Sequence, residues 1–322
     1  MRYKQLDGLR GIAATIVVLY HFLYQYPVRY DDNVIDFAYF GIYGVQLFFI
    51  LSGFVIFISV DNKDRMGFFK SRVLRLYPVY WLGCFYTFFI LSFGTVNVPQ
   101  NVSQLLINLT MLQSFFGVEH IDGTYWTLTY EILFYLYAIT LFKSKKFRFE
   151  KLTAILTFQF IYVFIKSIEL NFPRFAEAIF ILQFMHYFCM GMCLYLFKNY
   201  FINVKQALFL VLMALINNYL AYGFANSVVV ASVYIVFVFC VYDKLKFFEC
   251  KALCFLGGIS YALYISHQYV GYEIMHFIQS DISNIYISTF LTLIYSIIIA
   301  QMIKYLSELP TNFYKKKVKV RC

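Results

Sequence analysis

The sequence predicts an all-α, polytopic membrane protein with about ten transmembrane helices, and three observations predict it. The 322 residues are 61% hydrophobic and 22% aromatic, and only 14% are charged. Soluble domains carry about 25% charged residues, so this chain cannot build a water-facing surface. The 39 Phe and 30 Tyr also exclude a disordered chain. Apolar runs of spanning length recur from end to end, and the basic residues fall in the short connections between them.

The runs lie at 9–26, 40–60, 76–95, 124–142, 152–168, 176–197, 205–222, 224–242, 252–278 and 284–306. Segment 102–116 is apolar but carries Gln104, Asn108 and Gln113, which fits a partly buried or interfacial helix. With both termini cytoplasmic, 24 of the 27 Lys and Arg fall on the inside, and only Arg29, Lys166 and Arg174 fall outside. One span more or fewer would break this alternation. The net charge of +10 therefore reads as topology, and no nucleic-acid partner is expected. The chain reads as a single membrane domain, 1–322, with a basic cytoplasmic tail from about 310. No cleavable signal peptide is expected, because Tyr20, His21, Tyr24 and Gln25 interrupt the first run.

The seven cysteines are odd in number, and no disulfide framework is expected. Four lie in apolar runs; Cys250, Cys254 and Cys322 lie near basic segments of the cytoplasmic side. His186, Cys189 and Cys193 share a helical face. Small thiols packing between helices account for them, and no metal is expected. Gly41, Gly44 and Gly53 flank or interrupt the second run and suit close helix approach.

Ionisable residues within spans are costly and call for a reason. His21 follows Arg10 by eleven residues, a rise of about 16 Å that brings it near the membrane midplane. An imidazole there is either a general base or a neutral side chain bonded across helices. Glu131 lies five residues, about 8 Å, below Trp126 of the outer aromatic belt. It either orients a hydroxyl or histidine or serves as a structural partner for a Tyr or Arg. Arg72 and Arg75, three apart, fit one helical face ahead of Pro78, which suits a first turn. Paired guanidinium groups match phosphate recognition, or an ordinary lipid-facing flank. His267 lies in the ninth run, toward the outer side, where Gly257-Gly258 is a candidate interruption. His186 and Glu273 have no partner that the sequence reveals.

Five motifs then give a resemblance. Tyr3-Lys-Gln-Leu-Asp7-Gly-Leu-Arg10-Gly-Ile-Ala13 with His21-Phe22 resembles the opening of the acyltransferase family 3 membrane proteins. Gly41 to Phe54, with its Gly44-Val45 and Leu51-Ser52-Gly53, is similar to their second-span signature. Arg72-Val-Leu-Arg75-Leu-Tyr-Pro78 is similar to their Arg-x-x-Arg-x-x-Pro motif. Tyr125-Trp126 through Glu131 to Phe134-Tyr135, and Ser260-Tyr261 through Tyr264 to His267, resemble two later ones. Ile265 stands where the last motif usually has Leu, and no esterase-like fused domain is expected.

The resemblance implies an enzyme of the cytoplasmic (inner) membrane. It would move an acyl group, commonly acetyl, from acyl-coenzyme A to a hydroxyl of an extracytoplasmic carbohydrate. It makes Arg72 and Arg75, joined by Arg10, candidates for the coenzyme A phosphates. His21 becomes the candidate base, and Glu131 and His267 further catalytic candidates. Ser260, Tyr261 or Tyr130 could polarise the oxyanion. The alternatives are a transporter or exporter of a glycan or small metabolite, and a membrane sensor.

Overall fold

The computed structural model describes residues 3–30, 33–96, 98, 100–170 and 172–319. Arg2, Arg321 and Cys322 lie outside these residues, as do the side chains of the basic tail from 310. Every regular element among the described residues is helical. In chain order they are α1 (Lys4–Tyr20), α2 (Tyr26–Tyr30), α3 (Tyr43–Asn62), α4 (Arg65–Ser92), α5 (Val102–Asn108), α6 (Trp126–Leu141) and α7 (Arg148–Ser167). There follow α8 (Arg174–Ile179), α9 (Met185–Lys198), α10 (Val204–Val241), α11 (Lys251–Ser266), α12 (Gln268–Gln279) and α13 (Ile285–Lys319). A π-helical turn, His21–Gln25, joins α1 to α2, and a 3-10 helix, Asp36–Ile42, leads into α3.

Among the described residues, five helical stretches are long and apolar enough to cross a membrane: Lys4–Tyr30, Asp36–Asn62, Arg65–Ser92, Val204–Val241 and Ile285–Leu309. α10 holds two of the expected runs, because Gly223 adopts φ 83°, a conformation open to glycine, and divides the helix there. α4 begins thirteen residues before Pro78, not at it. Asp64 starts the helix by accepting a bond from the Gly67 backbone N–H at 3.1 Å, which leaves Pro78 in the interior. Segment 102–116 gives the short α5, whose Asn101 and Gln104 form a capping box.

The chain divides into two compact units. The first comprises residues 1–9, 43–71 and 127–250. Its centre is the contact of α3 with α9, where Gly53 and Gly191 let the backbones touch. A Cβ on Gly53 would lie 2.1 Å from the Phe188 carbonyl oxygen, and one on Gly191 would lie 2.0 Å from that of Ile50. Phe134 stacks on Phe188 with ring centroids 4.1 Å apart. Arg148 is buried and pairs with Asp61, with Nη1 donating to Oδ2 at 3.1 Å, while Tyr195 donates to the same oxygen at 2.7 Å. His186 is a satisfied core histidine: Gln159 meets Nδ1 at 2.7 Å and Asn218 meets Nε2 at 3.2 Å. No group of three His, Cys, Asp or Glu side chains among the described residues is placed to hold a metal ion.

The second unit comprises residues 10–42, 72–126 and 251–322. Here α11 packs on α1 at Gly11, where a Cβ would meet the Leu253 oxygen at 2.4 Å. α4 meets α11 at Gly83, against Ile265. α12 lies on Phe22 through Gly271, where a Cβ would stand 2.3 Å from the ring. The run 252–278 is interrupted at His267, not at Gly257-Gly258, which stay within α11.

Candidate functional site

The second unit brings together two histidines that are 246 residues apart in sequence (21 and 267). Their ring centroids are 5.1 Å apart. His21 opens the π-helical turn, a local unwinding common where a helix side chain must be aimed. His267 sits at the break between α11 and α12 and is fully buried.

The partners of His267 assign its tautomer. Nδ1 stands 3.0 Å from the Leu263 carbonyl and 2.9 Å from that of Tyr264. Carbonyls only accept, so Nδ1 carries the proton and donates. Nε2 is then a bare lone pair, buried with no hydrogen-bond partner. His21 Nδ1 lies 3.2 Å from the Tyr272 hydroxyl, which also receives the Gln268 amide at 3.4 Å.

A turn from a distant part of the chain holds this break open. Asp122, fully buried, accepts from the Thr124 N–H at 3.0 Å and the Thr124 hydroxyl at 2.7 Å through Oδ1. Its Oδ2 accepts from the Tyr269 N–H at 3.1 Å. The Thr124 hydroxyl also reaches the Tyr264 oxygen at 3.1 Å, and the Tyr125 hydroxyl donates to the Ile265 oxygen at 3.0 Å. The break leaves backbone groups without helical partners, and these side chains satisfy them. Burial pushes the Asp122 carboxyl up to about 6, against the opposing pull of the Thr124 and Tyr269 donors. Glu273, also on α12, accepts from the Thr95 N–H at 2.9 Å and so anchors the connection after α4.

The arginines occupy a different level of the same unit. Arg72 and Arg75 do not present one common face: Arg72 is buried and Arg75 is exposed. Arg75 lines a cavity of about 280 Å³ between α4, α11 and α13. Ser260 and Tyr261 line that cavity, and Ser260 bonds its own helix at the Gly257 oxygen. Arg10 is half-buried beside Gly11, at the α1–α11 contact. Glu131 belongs to the first unit, where the Tyr135 hydroxyl donates to its Oε1. Tyr130 packs there on Phe184.

Asp122, Gln268 and Tyr272 are missed as partners in the sequence. The Asp-Gly-Thr turn at 122–124 carries a capping signal that could have found the first. Nothing local signals Tyr272, which reaches His21 only through the fold.

Comparison with known proteins follows this geometry. The model of the family described as an acyltransferase domain, acyltransferase family 3, matches residues 3–301. The chain belongs to this family. It is similar to a protein of Acidianus two-tailed virus named "Putative acetyltransferase ORF330", at 28% identity over 82% of each chain. It is also similar to the exopolysaccharide production protein ExoZ of Rhizobium meliloti (strain 1021), at 30% identity over 34% of this chain and 37% of that one. Nodulation protein 10 of Rhizobium leguminosarum bv. viciae matches at 28% identity over 29% of this chain and 31% of its own. No solved structure matches. As a member of the family, the chain is a multi-pass membrane O-acyltransferase.

Proposed function

We propose that this acyltransferase takes an acetyl group from acyl-coenzyme A at the cytoplasmic face. The acceptor is a hydroxyl of an extracytoplasmic carbohydrate, and the enzyme lies in the cytoplasmic (inner) membrane. The observation that carries the reading is the pair His21 and His267, with a bare imidazole nitrogen buried beside a second ring. The family membership and the exopolysaccharide-related name of one relative support the acceptor class.

In this reading His21 is the general base. Its base-competent tautomer is the one in which Nδ1–H donates to the Tyr272 oxygen and Nε2 is bare. As the acceptor oxygen attacks the thioester carbonyl, its proton passes to His21. The tetrahedral intermediate collapses, the carbon–sulfur bond breaks, and the thiolate takes that proton. The ester and free coenzyme A leave. His267, locked with Nε2 outward from its own carbonyl bonds, can accept a hydrogen bond from the His21 imidazolium once the proton has passed to it, and so steadies that ring beside the reacting groups.

The test is purified enzyme in liposomes with labelled acetyl-coenzyme A and a candidate glycan. Label on the glycan with the wild type, and none above background with His21→Ala that still inserts, is the expected outcome. Retained transfer by His21→Ala removes His21 as the base. Unmodified glycan crossing the bilayer would indicate transport instead.

A further inference from the structure

The residue that follows His267 carries a buried group without a use so far. Gln268 opens α12 and is buried. Its amide lies flat over Gly123, in the turn that holds the break. A Cβ on Gly123 would stand 2.6 Å from Oε1, 2.7 Å from Nε2 and 2.8 Å from Cδ, so only glycine leaves the amide its space. Nε2 reaches the Tyr272 hydroxyl at 3.4 Å, whereas Oε1 is buried with no hydrogen-bond partner. Tyr272 in turn stands 3.2 Å from His21 Nδ1. Amide, phenol and imidazole thus form one connected chain within the second unit.

The phenol has one proton to give, and among the described residues it meets His21 and Gln268. If His21 Nδ1–H and the Gln268 N–H₂ both donate to its oxygen, the Tyr272 proton has no acceptor. If the Tyr272 proton goes to Nδ1 instead, the His21 proton sits on Nε2 and the base is withheld. A half-turn of the amide about its last side-chain bond resolves both. It exchanges Oε1 and Nε2 over Gly123, and the planar group fills the same space. Oε1 then accepts from the Tyr272 O–H, the phenol oxygen accepts from His21 Nδ1–H, and His21 Nε2 is bare. The amide N–H₂ gives up its contact with Tyr272. In exchange the buried oxygen and the phenol proton are paired, two groups that are costly to bury alone.

We propose that Gln268 is the positioning residue that selects the His21 tautomer. With its carbonyl oxygen toward Tyr272 it takes the phenol proton, turns the phenol oxygen into an acceptor for Nδ1–H, and leaves Nε2 for the reaction. With its N–H₂ toward Tyr272, the phenol donates to Nδ1 and the base is withheld. Gly123 gives the amide room for both. This rests on His21 as the base.

The test uses full-length protein in nanodiscs, isotope-labelled on its histidine nitrogens. Above the imidazole titration range, solid-state NMR reads which nitrogen of His21 carries the proton, and His21→Gln assigns the signal. Transfer is measured with acetyl-coenzyme A and a candidate glycan. The proposal expects the Nδ1–H form in wild type. It expects that preference to be lost in Gln268→Met, which keeps the length and has no carbonyl. The same variant should lose about tenfold in kcat, the worth of one orienting hydrogen bond, with the donor KM unchanged. Gln268→Glu, whose carboxylate only accepts, should keep the wild-type tautomer and most of kcat. Gln268→Met added to Tyr272→Phe should cost nothing further, because Gln268 acts through that hydroxyl. A wild-type His21 protonated on Nε2, or a tautomer unchanged in Gln268→Met, overturns the proposal and leaves His21 as the base intact. Gln268→Glu as slow as Gln268→Met shows the amide serving as a donor, which also overturns it. Retained transfer by His21→Ala overturns the base reading, and the catalytic role of Gln268 falls with it.

Discussion

His21 can hold its proton on either ring nitrogen, and in the proposed tautomer the Tyr272 oxygen receives it from Nδ1. Its hydroxyl oxygen already receives the Gln268 amide, 3.4 Å away, and has room to accept from His21 Nδ1–H at 3.2 Å. That leaves Nε2 able to take a proton. Tyr272→Phe keeps the buried ring and removes only the oxygen. We expect kcat to fall about tenfold, since a lost orienting hydrogen bond is worth about 1–1.5 kcal/mol. The KM for the donor should stay unchanged, and an unaltered kcat would show that the hydroxyl does not position His21. The histidine itself was legible in sequence, because an imidazole in an apolar run is conspicuous and its depth follows from helix rise. Its partner was not, because Tyr272 meets it through a tertiary contact 251 residues away. His186 shows the converse: it is as deeply placed in sequence terms, yet Gln159 and Asn218 occupy both nitrogens and leave nothing for chemistry.

At the scale of elements, the apolar runs fall mostly on helices, five helical stretches are long and apolar enough to cross a membrane, and the breaks lie elsewhere than the sequence suggests. Gly257-Gly258 suggested an interruption, yet both glycines continue α11 because neighbouring elements use the space they leave. α1 packs against Gly257 through Gly11, and Lys304 lies over Gly258. The real break, at His267, is held by Asp122, Thr124 and Tyr125, and no local pattern around 267 announces it. Asp122→Asn keeps the shape but has one accepting oxygen for donors that now use two, and its amide N–H₂ must face an N–H or a hydroxyl. A loss of about 1–3 kcal/mol is expected, read as a lower thermal midpoint in detergent together with reduced acyl transfer. Unchanged stability would mean that the turn does not hold the break. Gly53→Ala probes the other unit. Its new Cβ would stand 2.1 Å from the backbone oxygen of Phe188, which has no flexible end to move aside. The variant should be recovered poorly or melt several degrees lower, because α3 and α9 must separate. Wild-type stability would contradict the close approach.

For the whole molecule, the distribution of basic residues predicts an orientation, and the structure refines what those charges do. Arg148, counted as a topology signal, is buried against Asp61 and Tyr195, so part of the inside charge also locks helices together. Such a contact is invisible in sequence because Asp61 is 87 residues away. The expected topology has a native reporter. Cys250, between α10 and α11, is exposed, whereas Cys84, Cys189, Cys193 and Cys240 are buried. With both termini inside, the connection bearing Cys250 faces the cytoplasm, the side from which the proposed donor comes. In a Cys322→Ser background, a membrane-impermeant maleimide should label inside-out vesicles and leave intact cells unlabelled. Adding Cys250→Ser should remove most of that signal, leaving only the slower, half-buried Cys254. Labelling of intact cells at Cys250 would invert this part of the chain. The proposed cytoplasmic donor would then fall with the topology, because an anionic nucleotide of that size does not cross the bilayer.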